Sequence, residues 1–199
     1  MENMKIFDLY DTKEIKIEDP GLRRYVNVNE KLVIKSHGRE NKEKFGRAKM
    51  NIVERFMHLL MCPGHRGSKQ KIMTHWASGK WSKKAAVMIK ALKIIEEKTK
   101  MNPIQVFVKA VENAAPRDEV TTIEYGGARY PQAVDIAPMR RISLAMRNMK
   151  NGAYDRCFGK KVKLEDALAI EIIAAYQNSS DSKAVARKNE TEKMADSSR

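Results

Sequence analysis

The chain of 199 residues carries 39 Lys+Arg against 25 Asp+Glu, a formal net charge of +14, and 42% of it is hydrophobic. That is enough apolar material for one sizeable core, and the charge points to a polyanionic partner, nucleic acid before an anionic membrane. No apolar run approaches the roughly 20 residues of a membrane span, no basic leader precedes an apolar core, and Cys62 and Cys157 are too few to staple a secreted scaffold, so a soluble cytoplasmic protein with free thiols and no membrane partner is expected.

Residues 1–19 hold three Lys and six acids, against the trend of the chain, and read either as a strand and turn around Ile15 and Ile17 or as a loosely attached arm. From Arg23 and Arg24 onward apolar residues thin out, and 35–49 contain Lys35, Arg39, Lys42, Lys44, Arg47 and Lys49 with two Glu. A segment this basic, with little to bury, is expected to order against phosphates. Met50–Met61 is the first helix, its Met50, Val53, Phe56, Met57 and Leu60 forming an apolar stripe. Residues 62–84 follow with Arg66, Lys69, Lys71, Lys80, Lys83 and Lys84 and no acid. Trp76 and Trp81 lie among these cations, placed either to stack on splayed bases or to pack half-buried.

Ser82 caps a second helix running to about Lys100, with Ala85, Met88, Ile89, Leu92 and Ile95 on one face. Asn102-Pro103 opens a third, which carries Ile104, Phe107, Val108 and Val111 and ends at Pro116. Two alternating runs, Glu119–Tyr125 and Arg129–Ile136, then flank Gly126-Gly127-Ala128, a β-hairpin whose strands of about seven residues project roughly 23 Å at 3.3 Å per residue. Arg129 and Tyr130 lie near its tip, and Arg140, Arg141 and Arg147 on the helix opened by Ala137-Pro138 lie beside its root. Asn151-Gly152 ends that helix, and Arg156, Lys160 and Lys161 fall in the loop beyond it. Leu164–Tyr176 is helical again, and the tail to Arg199 reads as a polar helix with little to bury. The expected fold is mainly α: a bundle of about six helices with a protruding two-stranded hairpin between the fourth and fifth main helices and a basic N-terminal extension. It forms one domain, with 1–48 an extended arm and 49–199 the bundle carrying the hairpin at 119–136.

Motifs for phosphate cradles, dinucleotides, serine hydrolysis and zinc proteolysis are absent, and no His sits with a positioned acid, so neither enzyme activity nor a cofactor is expected. His58, Cys62 and His65, with His75 further on, offer a weak zinc reading; solvated histidines and a buried thiol are favoured. A free-standing regulatory or architectural DNA-binding protein is the alternative function, but it calls for a dimer seam that the sequence does not present, and no homo-oligomer is expected.

The run Gly126-Gly127-Ala128-Arg129-Tyr130-Pro131, continuing into Ala133-Val134-Asp135-Ile136 and Arg140-Arg141, resembles ribosomal protein seven of the small subunit. Asn51-Ile52-Val53-Glu54-Arg55, Lys83-Lys84-Ala85-Ala86, Asn102-Pro103 with Phe107, Ala110, Glu112 and Asn113, and the Arg187-Lys188 to Arg199 ending extend the likeness over about residues 20–199. The blocks Arg39–Arg47 and Arg66–Lys80 resemble the archaeal and eukaryotic branch. In bacterial members the second of these blocks is short, and the hairpin reads Tyr-Gln-Val-Pro where this chain has Tyr-Pro-Gln-Ala-Val. The resemblance implies an rRNA-binding helical bundle that binds the 3′ major domain of small-subunit rRNA and organises the head. It further implies a seat near exit-site tRNA and mRNA, beside neighbouring head and platform proteins.

Overall fold

The computed structural model describes residues 5–31, 33–62 and 79–199. His65, Arg66, Lys69, Lys71, His75 and Trp76 lie outside them. Among the described residues seven helices surround one core: α1 (Pro20–Arg23), α2 (Ile52–Leu60), α3 (Trp81–Thr99), α4 (Pro103–Ala114), α5 (Pro138–Cys157), α6 (Leu164–Tyr176) and α7 (Lys183–Asp196). A two-stranded antiparallel hairpin, β1 (Asp118–Tyr125) and β2 (Ala128–Asp135), stands between α4 and α5. Two 3-10 turns, Arg39–Lys42 and Gly46–Ala48, lie before α2.

Local chemistry sets the helix ends. The Asn51 side chain accepts from the Val53 N–H to start α2, and Asn102 does the same for Ile104 at the start of α4, where Pro103 occupies the first helical position. Ser82 is not the cap expected of it: α3 begins one residue earlier, at Trp81, without a side-chain cap, and ends where Lys100 turns left-handed at φ 55°. The apolar stripes meet as their spacing implies, with Phe56 of α2 tilted against Phe107 of α4 at 5.1 Å between ring centroids.

Asn151-Gly152 does not end α5, which runs on to Cys157. The reason is close packing. A Cβ at Gly152 would lie 2.6 Å from the Glu171 carboxyl carbon, so glycine is the residue that lets α5 approach α6 here. The buried Glu171 carboxylate accepts from the Ser182 hydroxyl at 2.9 Å, the Ala184 N–H at 3.2 Å and Arg156 Nε at 3.1 Å, which ties the start of α7 to α5 and α6.

The N-terminal segment is neither a strand nor a loose arm. Ile6, Tyr10, Leu22, Val26 and Ile34 are buried in the main core. One face of α4 binds the backbone of this segment: Asn102 donates to the Asp11 carbonyl, Gln105 exchanges hydrogen bonds with both backbone groups of Lys16, and Glu112 accepts from the N–H groups of Glu18 and Asp19. Positions 102, 105 and 112 share a face because they are three and seven residues apart. The extended chain thereby satisfies its polar groups without a sheet.

In the hairpin Gly126 and Gly127 both have positive φ, 59° and 82°, the requirement of the tight turn that matches strand twist. Ile123 pairs with Tyr130, Glu124 with Arg129 and Thr122 with Pro131. The root rests on α7: the Arg117 N–H donates to Glu192, and Arg199 pairs with Asp118 at 2.6 Å. The tail is therefore a docked helix that buries Ala184, Val185 and Ala195.

Two expectations follow. Gly152→Ala gains roughly 0.5–1 kcal/mol of helix propensity, but it displaces a buried carboxylate, and overpacking of that kind costs about 1–3 kcal/mol. A lowered urea midpoint should result; a raised one would show that Glu171 yields freely. Tyr10 offers a pH test. Burial, and then the Glu96 carboxylate that accepts its hydroxyl proton at 3.2 Å, push its pKa from 10 up to about 12. The unfolded chain loses this proton first, so the stability linked to Tyr10 is whole below pH 10 and is lost as pH rises through about 12. Tyr10→Phe should remove that component from melting curves taken across this window, and identical pH profiles for the two proteins would refute the assignment.

Candidate nucleic-acid interface

The basic segment before α2 presents Lys35, Arg39, Lys42, Lys44, Arg47 and Lys49 exposed, as are Arg23 and Arg24 beside it. Lys35 lies over the Trp81 ring at 5.2 Å and Lys44 over Phe45 at 5.9 Å. Trp81 is half-buried, so it packs against the core while receiving a cation. Lys49 pairs with Glu43. Among the described residues Arg23, Arg24, Arg39, Lys42 and Arg47 have no carboxylate partner, and the same holds for the exposed Arg147, Lys160 and Lys161. The segment is fixed from below by Glu54, whose fully buried carboxylate accepts from the Ser36 N–H at 2.6 Å and its hydroxyl at 2.9 Å.

Lys80 and Lys83 are exposed at the start of α3, but Lys84 is not an outward contact. It is 5% exposed, and its ammonium donates to the Tyr154 hydroxyl at 2.9 Å, which donates in turn to the Leu60 carbonyl at 2.8 Å. Burial lowers the Lys84 pKa and is the first cause of the raised Tyr154 pKa. Lys150 donates to the Cys62 carbonyl at 2.9 Å, so one buried lysine meets the carbonyls at the C-terminal end of α2 directly and the other through Tyr154, where the helix dipole favours cations. Arg156 also turns inward, to Glu171 and to the Asp181 carbonyl at 2.5 Å. It sits in the last turn of α5 and not in a loop, because that helix continues past Gly152.

At the hairpin, Tyr125, Tyr130 and Arg129 are exposed, Tyr125 by 82%. Ile123, 43% exposed, shares a face with Tyr130 and Tyr125. The two root arginines differ. Arg140 makes a bidentate pair with Glu119, two contacts of 2.7 Å, and this carboxylate raises its pKa. Arg141, with its side chain only 12% exposed, donates to Asp19 at 2.9 Å and to the Pro116 carbonyl at 3.1 Å, clamping the N-terminal segment to the base of β1. Neither is a free cation, as sequence spacing alone suggested.

Arg55 was passed over in the sequence reading. It sits on the buried side of α2, 7% exposed, and donates to the Met139 carbonyl at 3.1 Å and the Ser143 hydroxyl at 2.7 Å. Its position at i+3 from Ile52 was the available signal. Cys62 is exposed and Cys157 half-buried, both as free thiols, and among the described residues no cluster of His, Cys, Asp or Glu could hold a metal.

Removing Arg141 should cost stability, since hydrogen bonds to charged groups contribute about 1.5–3 kcal/mol, whereas the more exposed pair of Arg140 is worth about 1 kcal/mol at most. Chemical denaturation of Arg141→Ala and Arg140→Ala separately should show that order, and equal midpoints would contradict it.

Comparison with known proteins completes the assignment. The family described as Ribosomal protein S7p/S5e matches residues 22–199. The chain is 50% identical over 196 residues to small ribosomal subunit protein uS7 of Nanoarchaeum equitans, covering 98% of this chain and 99% of that one. It is 41% identical over 198 residues to the protein of the same description from Archaeoglobus fulgidus, covering 100% and 96%. The chain belongs to the ribosomal protein S7p/S5e family.

Proposed function

We propose that this protein binds the 3′ major domain of small-subunit rRNA, organises assembly of the subunit head, and carries its hairpin tip near exit-site tRNA and mRNA. It is a structural, non-enzymatic constituent of the small ribosomal subunit, at work in the cytoplasm, with rRNA and ribosomal proteins as its partners. The finer placement rests on one observation above the rest. Arg23, Arg24, Arg39, Lys42 and Arg47, all without a carboxylate partner among the described residues, cluster on the segment before α2 and at α1, while the long hairpin stands clear with two tyrosines and an arginine at its end. A folded RNA that wraps separated basic segments engages the first group electrostatically, and splayed bases stack on the second.

Filter binding to the isolated 3′ major domain, against another rRNA domain of equal length, tests the first part. Affinity should be higher for the 3′ domain and fall steeply with salt, and equal affinity for both would refute the placement. Replacing the ribbon between Val120 and Ala133 by a tight Asn-Gly turn tests the second. Helical content and melting temperature should stay near the parent values, because the core stripes of α2 and α3 are untouched, and rRNA affinity should fall only partly. Reconstituted subunits should then fail in reading-frame or exit-site tRNA assays. A shortened protein that unfolds, or that yields functionally normal subunits, would make the hairpin a folding element instead.

A further inference from the structure

Buried arginines are almost always paired with an anion. Arg55 is not: among the described residues its partners are the Met139 carbonyl, the Ser143 hydroxyl and the Met139 sulfur, with no carboxylate. Of the other buried cations among the described residues, Lys150 ends at the carbonyl-rich C-terminus of α2 and Lys84 reaches it through the Tyr154 hydroxyl, where the helix dipole stabilises positive charge. Arg55 ends in the first turn of α5, a helix of 20 residues, at the pole where the dipole opposes a cation. Arg140 and Arg141 share that turn, but Glu119 and Asp19 neutralise them. Arg47, exposed on the 3-10 turn that leads into α2, adds its own field; burial first and Arg47 second lower the Arg55 pKa to about 10. Desolvation, the dipole and a like charge all act against this guanidinium, and among the described residues two hydrogen bonds but no carboxylate offset them.

We infer that Arg55 clamps one phosphate group, and that the site is completed only when that anion arrives. A guanidinium has five N–H donors in a planar fork suited to bidentate phosphate binding, and the Met139 and Ser143 contacts hold this one in place while leaving N–H groups unengaged. The phosphate belongs to the RNA backbone on the functional reading above, or to free phosphate if that reading fails. The arrangement also separates stability from binding. Ser143 donates to the Met139 carbonyl at 2.8 Å on its own account, so loss of the guanidinium leaves neither group orphaned. The charge therefore contributes to binding and not to the fold of the free protein.

Melting of the full chain in rising sodium phosphate, against chloride at matched ionic strength, is the first arm. The parent should show a saturable rise that is absent in Arg55→Met and weakened in Arg55→Lys, which keeps the charge and loses the fork. Without phosphate, Arg55→Met should melt at or above the parent temperature. The second arm is binding of the 3′ major-domain rRNA. Arg55→Met should weaken it about tenfold and reduce the slope of log K against log salt by about 0.7–0.9, the loss of one phosphate contact. Loss of the RNA slope without a response to free phosphate assigns the clamp to the RNA backbone and supports it. A phosphate response that persists in Arg55→Met marks an adventitious ion only, and a destabilised Arg55→Met with an unchanged RNA slope makes Arg55 a structural hydrogen-bond donor; either overturns the clamp. A parent that responds to phosphate yet binds neither rRNA domain would refute the ribosomal placement while leaving the anion site standing.

Discussion

The fold of this cationic chain depends on a buried carboxylate. Glu171 has lost its water entirely, a cost of several kcal/mol for an isolated ion, and it is tolerated because a hydroxyl, a backbone N–H and a guanidinium converge on it from α7 and α5. Once that site exists, much of the C-terminal half follows. Gly152 must lack a side chain, Arg156 must turn inward, and α7 must follow Ser182, whose hydroxyl serves Glu171 and also caps the helix by accepting from the Val185 N–H. With α7 so placed, Glu192 and Arg199 reach the root of β1. A chain of the hairpin's length would be marginal in water as an isolated ribbon, and these contacts hold its base.

Glu54 plays the corresponding part at the other end. Its carboxylate fixes Ser36, and His58 lies 3.5 Å away, so the basic stretch is held from inside while its Lys and Arg side chains stay exposed. Acids in this protein thus serve two ends. Some hold elements together from inside, as Glu171, Glu54 and Glu112 do. Others neutralise the cations that the fold itself needs, as Asp19 does for Arg141 and Glu119 for Arg140. The cations left over are the ones available to a polyanion, and they mark the candidate interface better than a count of Lys and Arg does.

Much of this was legible in the sequence. Apolar spacing of three and four located α2, α3, α4 and α6, Asn102-Pro103 set the start of α4, and Gly126-Gly127 set the hairpin turn, because each depends on interactions within a few residues. The misreadings share a cause: a distant partner overrode a local signal. Asn-Gly is a stop wherever the chain is free to turn, but Glu171 lies opposite Gly152 and the helix continues. An acidic, weakly apolar N-terminus reads as loose until α4 supplies side-chain donors and acceptors for its backbone at 102, 105 and 112. Lys84 and Arg156 read as surface charge until Tyr154 and Glu171 are seen to receive them. No periodic pattern encodes which lysine of a Lys-Lys pair faces inward beyond its phase, and that phase was available: Lys84 is four residues before Met88 on the buried stripe of α3.

The same logic explains why the hairpin can carry residues that would be liabilities elsewhere. Both strands are edges, and they expose Ile123, Tyr125 and Tyr130, a combination that invites pairing with other chains. Three features temper it. Pro131 removes a donor from β2, the Glu124 and Arg129 pair puts charge on the opposite face near the tip, and the two-residue glycine turn fixes the register. None of these helps the core, which closes among the helices. The ribbon is thus shaped by what it must avoid while free, and its exposed aromatic face is the surface that the proposed function assigns to stacking.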